Sequence, residues 1–404
     1  MPSKPRKLSK SALRQQQLDV VTRVLRLRVK DKHASFLLAQ SREVNQVWNF
    51  CNETGLNILR RENRYCTGYD LDKLTSGSTK EGLALHSQTV QAISAEYVTR
   101  RKQFKKVKLR WRVSRGSRRS LGWIPFKASA IACRNGQVHY QGKAISLWDS
   151  YGLKDYELRG GSFSEDSRGR WYLNVQVEVK RPAKPHNMPT ASIGIDLGLK
   201  DLIATSEGEK VEAPRFYRDL EPALAVAQRA GKKARVKAIH AKIGNRRKDF
   251  CHKLSTGLVK HYGVILVGDV NSSGLTQTSM AKSVLDAGWS MFRGQLQYKG
   301  DDAGSWVRIT NERKSTQECS CCHAITGPKG LEGLAVRTWT CSGCGVVHDR
   351  DTNSAVNIKI RGLNALELEL STAREDKTCE AAVSKASQEA GVGHGPLAAG
   401  ILAV

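Results

Sequence analysis

Four cysteines constrain this chain more tightly than anything else in it. Cys319 and Cys322 form one C-x-x-C pair, Cys341 and Cys344 form a second, and eighteen residues lie between the pairs. That spacing falls in the window of a structural zinc site, where four thiolates complete a tetrahedron and leave no position open for chemistry. Four chance thiols are the plain alternative, and the paired spacing argues against them. His348 is near in sequence, but four sulfurs already saturate the metal, so it stays outside the ligand set. Asp351 follows Cys344 by seven residues, at the head of Asp351-Thr352-Asn353. Alone, that Asp is a good helix N-cap. Behind a metal knuckle, and with a second acid upstream, it becomes a catalytic candidate. Asn353 is a candidate for holding the Asp351 loop or a phosphate.

Charge narrows the partners. The chain carries 66 Lys and Arg against 38 Asp and Glu, a net charge of +28 over 404 residues. A field of that size favours a polyanion. No long amphipathic basic helix bearing aromatics points to a membrane surface instead. No apolar run approaches the roughly 18 residues needed to cross a bilayer, and Met1-Pro2-Ser3-Lys4-Pro5 does not begin a signal peptide. A soluble cytosolic protein is expected, with no membrane partner. Cys51, Cys66, Cys133, Cys251, Cys321 and Cys379 are then free thiols in a reducing compartment.

The first half reads as two interleaved parts. Residues 1–19 are a flexible basic arm. Val20 to Val29 alternates apolar residues with Arg23, Arg26 and Arg28, a strand with one basic face. Apolar residues at helical spacing predict a helix over 34–62, and Gly68 to Gly82 is a polar break. A second helix over 83–107 runs into a basic block: Arg101, Lys102, Lys105, Lys106, Lys108, Arg110 and Arg112, interleaved with Phe104 and Trp111. Rings among cations suit a nucleic-acid groove, since bases stack on the rings and phosphates meet the cations. From 122 to 179 the period falls to two, with short strands at 123–126, 130–133, 138–140, 145–148, 156–158 and 171–177. These predict a small β-barrel (wedge-like) domain over 20–33 and 120–186, with 34–119 as a helical nucleic-acid-recognition insertion. Three prolines between 180 and 189 mark a linker.

In the second half, Ile193-Gly194-Ile195-Asp196 is a buried strand ending in an acid, and residues 202–205 begin a return strand. A basic helical region follows over 217–261, with Gly231 and Gly244 as candidate breaks. Val264 to Val267 is an apolar strand leading into Gly268-Asp269. A helix over 283–298, a strand over 306–310 and then Asn311-Glu312 precede the cysteines, and a last helix runs from 352 to about 362. That order predicts an α/β, RNase H-like nuclease domain over 190–362, the fold class that the resemblance below narrows to RuvC. It carries the four-cysteine zinc knuckle as an insertion at 315–347. Residues 363–404 are weakly patterned and expected to be a disordered tail.

Taken together and in order, I-G-I-D-L-G-L at 193–199, the two C-x-x-C pairs and H-D-R-D-T-N-S-A-V-N-I at 348–358 resemble the TnpB family. These are the RNA-guided nucleases of insertion sequences, related to the type V CRISPR effectors. D-F-C-H-K-L-S-T at 249–256, A-K-S-V-L-D-A-G-W at 281–289 and S-T-Q-E-C at 315–319 are also similar. The resemblance covers about 190–362 well and the first half in layout only. It implies a RuvC-type site of two Asp and one Glu that binds Mg2+ or Mn2+, with Asp196 as the first acid and Asp351 as the last. The family writes the middle acid as Glu-Asp after an apolar strand, whereas this chain has Gly268-Asp269. Three readings follow. Asp269 serves, although it is a residue displaced and faces the other side of a strand. Glu312 refills the site from a neighbouring strand. Or the site is incomplete and the protein binds without cutting.

The resemblance further implies a guide RNA, a double-stranded DNA target with a short motif beside it, a monomeric protein in the complex, and a place in the prokaryotic cytosol or nucleoid. Its expected function is RNA-guided DNA cleavage for a transposable element. A nuclease-inactive RNA-guided binder and a protein-only transposition accessory are the alternatives.

Overall fold

The computed structural model describes residues 20–180, 182, 184, 191–275, 277, 281–330 and 332–389. The expected basic arm, most of the proline linker and residues 390–404 lie outside them. The chain divides into two compact units, Met1–Arg181 with Ala227–His240 and Pro182–Val226 with Ala241–Val404. Helical residues 227–240 thus group with the first unit, not with the continuous domain expected over 190–362. No helix among the described residues is long and apolar enough to cross a membrane.

The first unit opens with β1 (Val20–Val29), followed by helices α1 (Ala34–Glu62), α2 (Gly68–Leu74) and α3 (Ser87–Phe104). Leu37, Val44, Trp48 and Cys51 give α1 one buried face. The expected polar break is in fact helical at its start. Thr67 and Asp70 form a reciprocal capping box that satisfies the first N–H groups of α2. Trp48 meets Tyr97 of α3 edge-on at 5.7 Å.

The strands follow as β2 (Trp123–Phe126), β3 (Ile131–Arg134), β4 (Gln137–Tyr140), β5 (Lys143–Ile145), β6 (Leu147–Trp148), β7 (Leu158–Glu165) and β8 (Trp171–Lys180). They make a five-stranded sheet in the order β2-β7-β8-β1-β6 and a three-stranded sheet β3-β4-β5. The expected pairing of 20–29 with the later strands occurs: Leu25 lies opposite Val175 and Leu27 opposite Leu173, both pairs buried. Arg26 points outward over the Tyr172 ring, 4.2 Å from its centroid. Phe126, Tyr140 and Phe163 join the two sheets in one aromatic core. Of the expected strand at 156–158 only Leu158 is in a strand, where it opens β7, which runs to Glu165 through Gly160 and Gly161. Those glycines lower strand propensity. They are needed because a Cβ at 161 would strike the carbonyl of Asn174 where the β7–β8 ladder slips register.

The second unit is built on β9 (Ser192–Leu197), β10 (Asp201–Thr205), β11 (Lys210–Glu212), β12 (Val264–Gly268) and β13 (Trp306–Thr310). Its helices are α4 (Phe216–Arg229), α5 (Lys233–His261, entering this unit at residue 241), α6 (Ser272–Leu275), α7 (Ala281–Ala287), α8 (Trp289–Ala303) and α9 (Arg350–Glu389); a hairpin of β14 (Thr338–Thr340) and β15 (Val347–Asp349) precedes α9. The sheet order is β11-β10-β9-β12-β13, antiparallel over the first three strands and parallel over the last three. Ile193, Ile195, Ile265 and Val267 share one buried core with Phe292 and Leu296 of α8. On the other face α9 covers β9 and β12. Gly194 lets it come close, because a Cβ there would meet the Ala355 carbonyl and Lys359.

Two expectations are corrected here. The helix over 283–298 is two helices, broken at Gly288, whose φ of +68° only glycine adopts cheaply. The last helix does not stop near 362. It continues to Glu389, and Leu366, 1% exposed, packs with Val264 and Leu266. A disordered tail therefore does not begin at 363.

Candidate active site

Asp196 is the penultimate residue of β9, on the face that carries Gly194 and meets α9. Ser354 of α9 donates a hydrogen bond to its Oδ1 at 2.9 Å. Burial pushes the Asp196 carboxyl up to about 7; Ser354 opposes the rise, and the charges of Glu312 and Asp351 add to it. Trp289 donates its indole N–H to the Gly198 carbonyl at 3.3 Å, fixing the turn behind the acid.

Val267 pairs with Ile195, so one register step later Gly268 comes level with Asp196 and faces the same way. No side chain leaves Gly268, but the space is filled. A Cβ built there would fall on Oε2 of Glu312 and within 3.2 Å of Ile358 Cδ1. Glu312 thus reaches back from beyond β13 into the volume that a residue-268 side chain would take. Its Oε2 is buried and accepts no hydrogen bond from the described residues. Burial, then the nearby charge of Asp269, raises this carboxyl to about 7, against the Val270 N–H and Arg293. Asp269 is exposed, and its Oδ1 accepts the Glu312 backbone N–H at 3.1 Å. It buttresses Glu312 and does not share the face of Asp196.

Asp351 lies in the first turn of α9, but the capping role falls to Asp349. That residue accepts the Thr352 N–H at 2.9 Å and pairs with Lys210 at 2.7 Å. Asp351 instead receives two guanidiniums, Arg337 on Oδ2 at 3.0 Å and Arg350 on Oδ1 at 2.9 Å. Asp196, Glu312 and Asp351 share one charged neighbourhood. Among the described residues, however, only the cysteine quartet has all its ligand atoms within 4.8 Å of one another.

That quartet is Cys319, Cys322, Cys341 and Cys344. Sulfurs about 2.3 Å from a tetrahedral zinc stand roughly 3.8 Å apart. Here Cys319 and Cys344 are 3.7 Å apart, and Cys322 and Cys341 are 3.6 Å apart. The donor set and its spacing are compatible with structural zinc. A hydrogen bond from Thr326 pushes the Cys341 thiol down to about 6, toward the thiolate a metal needs. His348 sits outside the tetrahedron, its Nε2 3.0 Å from Cys319 Sγ and its ring tilted against Trp339, 4.8 Å between centroids. That is the position of a group supporting a metal ligand. Asn353 is 2% exposed and its amide is bonded to the cysteine arm, not to Asp351. It accepts the Ser320 N–H and donates to the Ser315 and Glu318 carbonyls, fastening the cysteine arm to α9.

The basic segment after α3 is an extended strip laid along α1. Asn52 exchanges both hydrogen bonds with the Leu109 backbone, Asn49 does the same with Arg112, and Asn45 bonds Ser114 and the Arg112 guanidinium. Two of the expected contact residues are engaged within the protein. Arg101 is buried at 4% exposure, donating to the Cys66 carbonyl under the Tyr65 ring. Arg112 is spent on Asn45 and the Leu121 carbonyl. Lys102, Phe104, Lys105, Lys106, Lys108, Arg110 and Trp111 remain exposed, with Lys108 over the Trp111 ring at 4.8 Å.

Sequence reasoning missed Ser315, Ser354 and Arg337. Ser354 carries a signal, lying one helical turn after Asp351; Arg337 carries none, because only the β14–β15 hairpin brings it to Asp351.

Comparison with known proteins is consistent with these elements. Residues 174–279 match the family described as "Probable transposase", and residues 289–358 match "Cas12f1-like, TNB domain". A protein of Streptomyces pristinaespiralis named "Putative RNA-guided DNA endonuclease" is 34% identical over 293 residues, 68% of this chain and 70% of its own length. A similarly named protein of Escherichia coli (strain K12) is 27% identical over 48% of this chain and 55% of its own. The fold resembles Cas12f1, as solved by cryo-EM in a complex with sgRNA and target DNA. The TM-score is 0.55 at 12% identity, over 84% of this chain and 99% of that one. With a relative above 30% identity matched over more than two thirds of both chains, the protein belongs to the TnpB family.

Proposed function

We propose that this protein is an RNA-guided DNA endonuclease of a transposable element, and that Asp196, Glu312 and Asp351 are its catalytic acids. The observation that carries the reading is the Glu312 carboxylate in the space above Gly268, level with Asp196 on the α9 face. The sheet order, a three-stranded meander followed by two parallel strands, supports a RuvC-like, RNase H-type domain. The two sheets sharing one core in the first unit support the wedge-like barrel with 34–119 as its insertion.

The chemistry of the site is suited to a hard divalent cation. Carboxylate oxygens are the donors that Mg2+ and Mn2+ take, and buried acids held near neutrality bind protons until a cation replaces them. Such ions, when bound, activate water and stabilise the leaving oxygen in phosphodiester hydrolysis. The chain's own part is to present the acids. Asp196 is oriented by Ser354, Glu312 is held by Asp269 and Val270, and Asp351 is held by Arg337 and Arg350. Zinc at the four cysteines shapes the arm between β13 and α9 and takes no part in the chemistry. The guide RNA and target DNA meet the exposed strip Lys102–Trp111 and the basic outer face of β1, in a monomeric complex of the prokaryotic cytosol. The target-adjacent motif is read by this first unit.

The test is Mg2+-dependent cleavage of a matched duplex by purified protein with its co-purified RNA. Glu312→Ala is expected to lose about 100-fold or more, the equivalent of roughly 3 kcal/mol. Cleavage at the wild-type rate would refute the assignment. The nuclease-inactive binder is favoured by one observation, the double guanidinium grip on Asp351. It is the conclusion if the wild type binds a matched target specifically and never cuts it.

A further inference from the structure

Two buried serines stand between the candidate acids. Ser354 is 0% exposed and Ser315 is 3% exposed. Ser354 Oγ donates to Asp196 Oδ1 at 2.9 Å, and Ser315 Oγ lies 2.7 Å from Ser354 Oγ. A hydroxyl has one hydrogen to give. Ser354 gives its own to the carboxylate, so the hydrogen in the second contact belongs to Ser315. The result is a directed chain, Ser315 to Ser354 to Asp196.

Ser315 is tied to the other acid. Its N–H donates to the Glu312 carbonyl at 2.9 Å, closing the turn that carries Glu312 away from β13. Its own carbonyl accepts from Asn353 at 3.3 Å and from Asn357 at 2.9 Å. Both asparagines also donate to the Glu318 carbonyl at 2.7 Å. The segment 315–320 is thereby fixed to α9 at the level of Asp196.

We propose that the Ser315–Ser354 hydroxyl pair is the positioning element that sets the Asp196 carboxylate against Glu312 at the spacing one divalent cation requires. The inference rests on the reading of those acids as metal ligands. β9 and β13 are separated by β12, two strand spacings or about 9.6 Å of backbone. Glu312 spans part of that gap over Gly268, and the serine chain fixes what remains. Both hydroxyls are neutral, so their contribution is orientation and not charge. A carboxylate turns easily about its last torsion. Holding Oδ1 decides where the other oxygen points.

The experiment uses the full chain with its co-purified RNA and reads Mn2+ binding directly, by calorimetry or by the loss of the free-ion paramagnetic signal. Zinc content, melting temperature and Mg2+-dependent cleavage are followed beside it. Wild type is expected to bind Mn2+ and Asp196→Ala to lose that binding, which tests the ligand reading by itself. Ser354→Ala and Ser315→Ala are expected to weaken Mn2+ binding, and to raise the Mg2+ needed for half-maximal cleavage, by about 10- to 100-fold. Zinc content and target binding stay at wild-type levels, and Ser315→Thr, which keeps the hydroxyl, recovers most of the loss. If both alanine variants bind Mn2+ with wild-type affinity while only their melting temperatures fall, the serines are merely structural and the inference is overturned. If Asp196→Ala leaves Mn2+ binding intact, the ligand reading fails and the inference falls with it.

Discussion

Gly268→Ala probes the central feature of the site by replacing one hydrogen with a methyl group. A Cβ at 268 collides with Glu312 Oε2 and comes within 3.4 Å of Glu312 Cδ and 3.2 Å of Ile358 Cδ1. The strand itself tolerates the change, since Gly268 is not among the positive-φ residues. Alanine also lowers the entropy of the unfolded chain, worth about 0.4–1 kcal/mol of stability, against about 1–3 kcal/mol for overpacking. The partner that must give way is the end of a flexible side chain, not backbone. A folded protein whose Glu312 carboxylate is displaced by about 1 Å is therefore expected, and such a displacement costs about 100-fold in rate. Single-turnover cleavage and thermal melting on one preparation check this. The melting temperature should move by a few degrees while the rate falls about two orders of magnitude. Gly268→Ala cutting within twofold of wild type would show that the acid does not act from that space. The exchange Gly268→Glu with Glu312→Ala, which returns the acid to the strand, should recover more activity than Glu312→Ala alone.

Other outcomes can be measured with the same material. Metal analysis of the wild type is expected to give one equivalent of zinc, and Cys341→Ser should abolish it and strip hydrogen-exchange protection from 315–349, since a structural zinc site supplies about 10–16 kcal/mol of apparent folding free energy; full protection without zinc would refute a structural role. Asp196 and Glu312 titrate near 7 in the fold against about 4 in an unfolded chain. The folded state then holds more protons across that window, so stability in EDTA should decline as pH rises from about 4 to 7 and level off above it. Mg2+ should restore the loss in wild type and not in Asp196→Asn, and a pH-independent Mg2+ effect counts against the site. Trp111→Ala with Lys108→Ala should weaken nucleic-acid binding and lower the salt slope by about one; an unchanged slope removes the strip from the interface.

Much of the second unit was legible because its signals are local. The C-x-x-C spacing, the apolar strands and the acid near the end of β9 each depend on a few neighbouring residues. What escaped depends on approach between distant segments. β7 was hidden because Gly160 and Gly161 weaken the strand pattern for the sake of close packing on β8. Arg101 and Arg112 look like their cationic neighbours in sequence, and only the tertiary fold buries one and ties the other to Asn45 and Leu121. The cap at Asp349 could not be separated from Asp351 two residues later, since both precede the same helix. Gly268 read as a missing acid, with Glu312 as one of three readings for its place; which acid fills that volume is a fact of strand order, which no spacing along the chain decides.

The asparagine ladder on α1 has a consequence for how this protein can change. Asn45, Asn49 and Asn52 hold the strip 109–114 mostly by its main chain, so Leu109 and Arg112 anchor it while Arg110 and Trp111 look outward. A surface mounted this way behaves like a cassette. Its outward residues can be exchanged without dismantling the mount, which gives natural variation, and laboratory selection, a place to retune what the protein grips while the helix beneath keeps its shape.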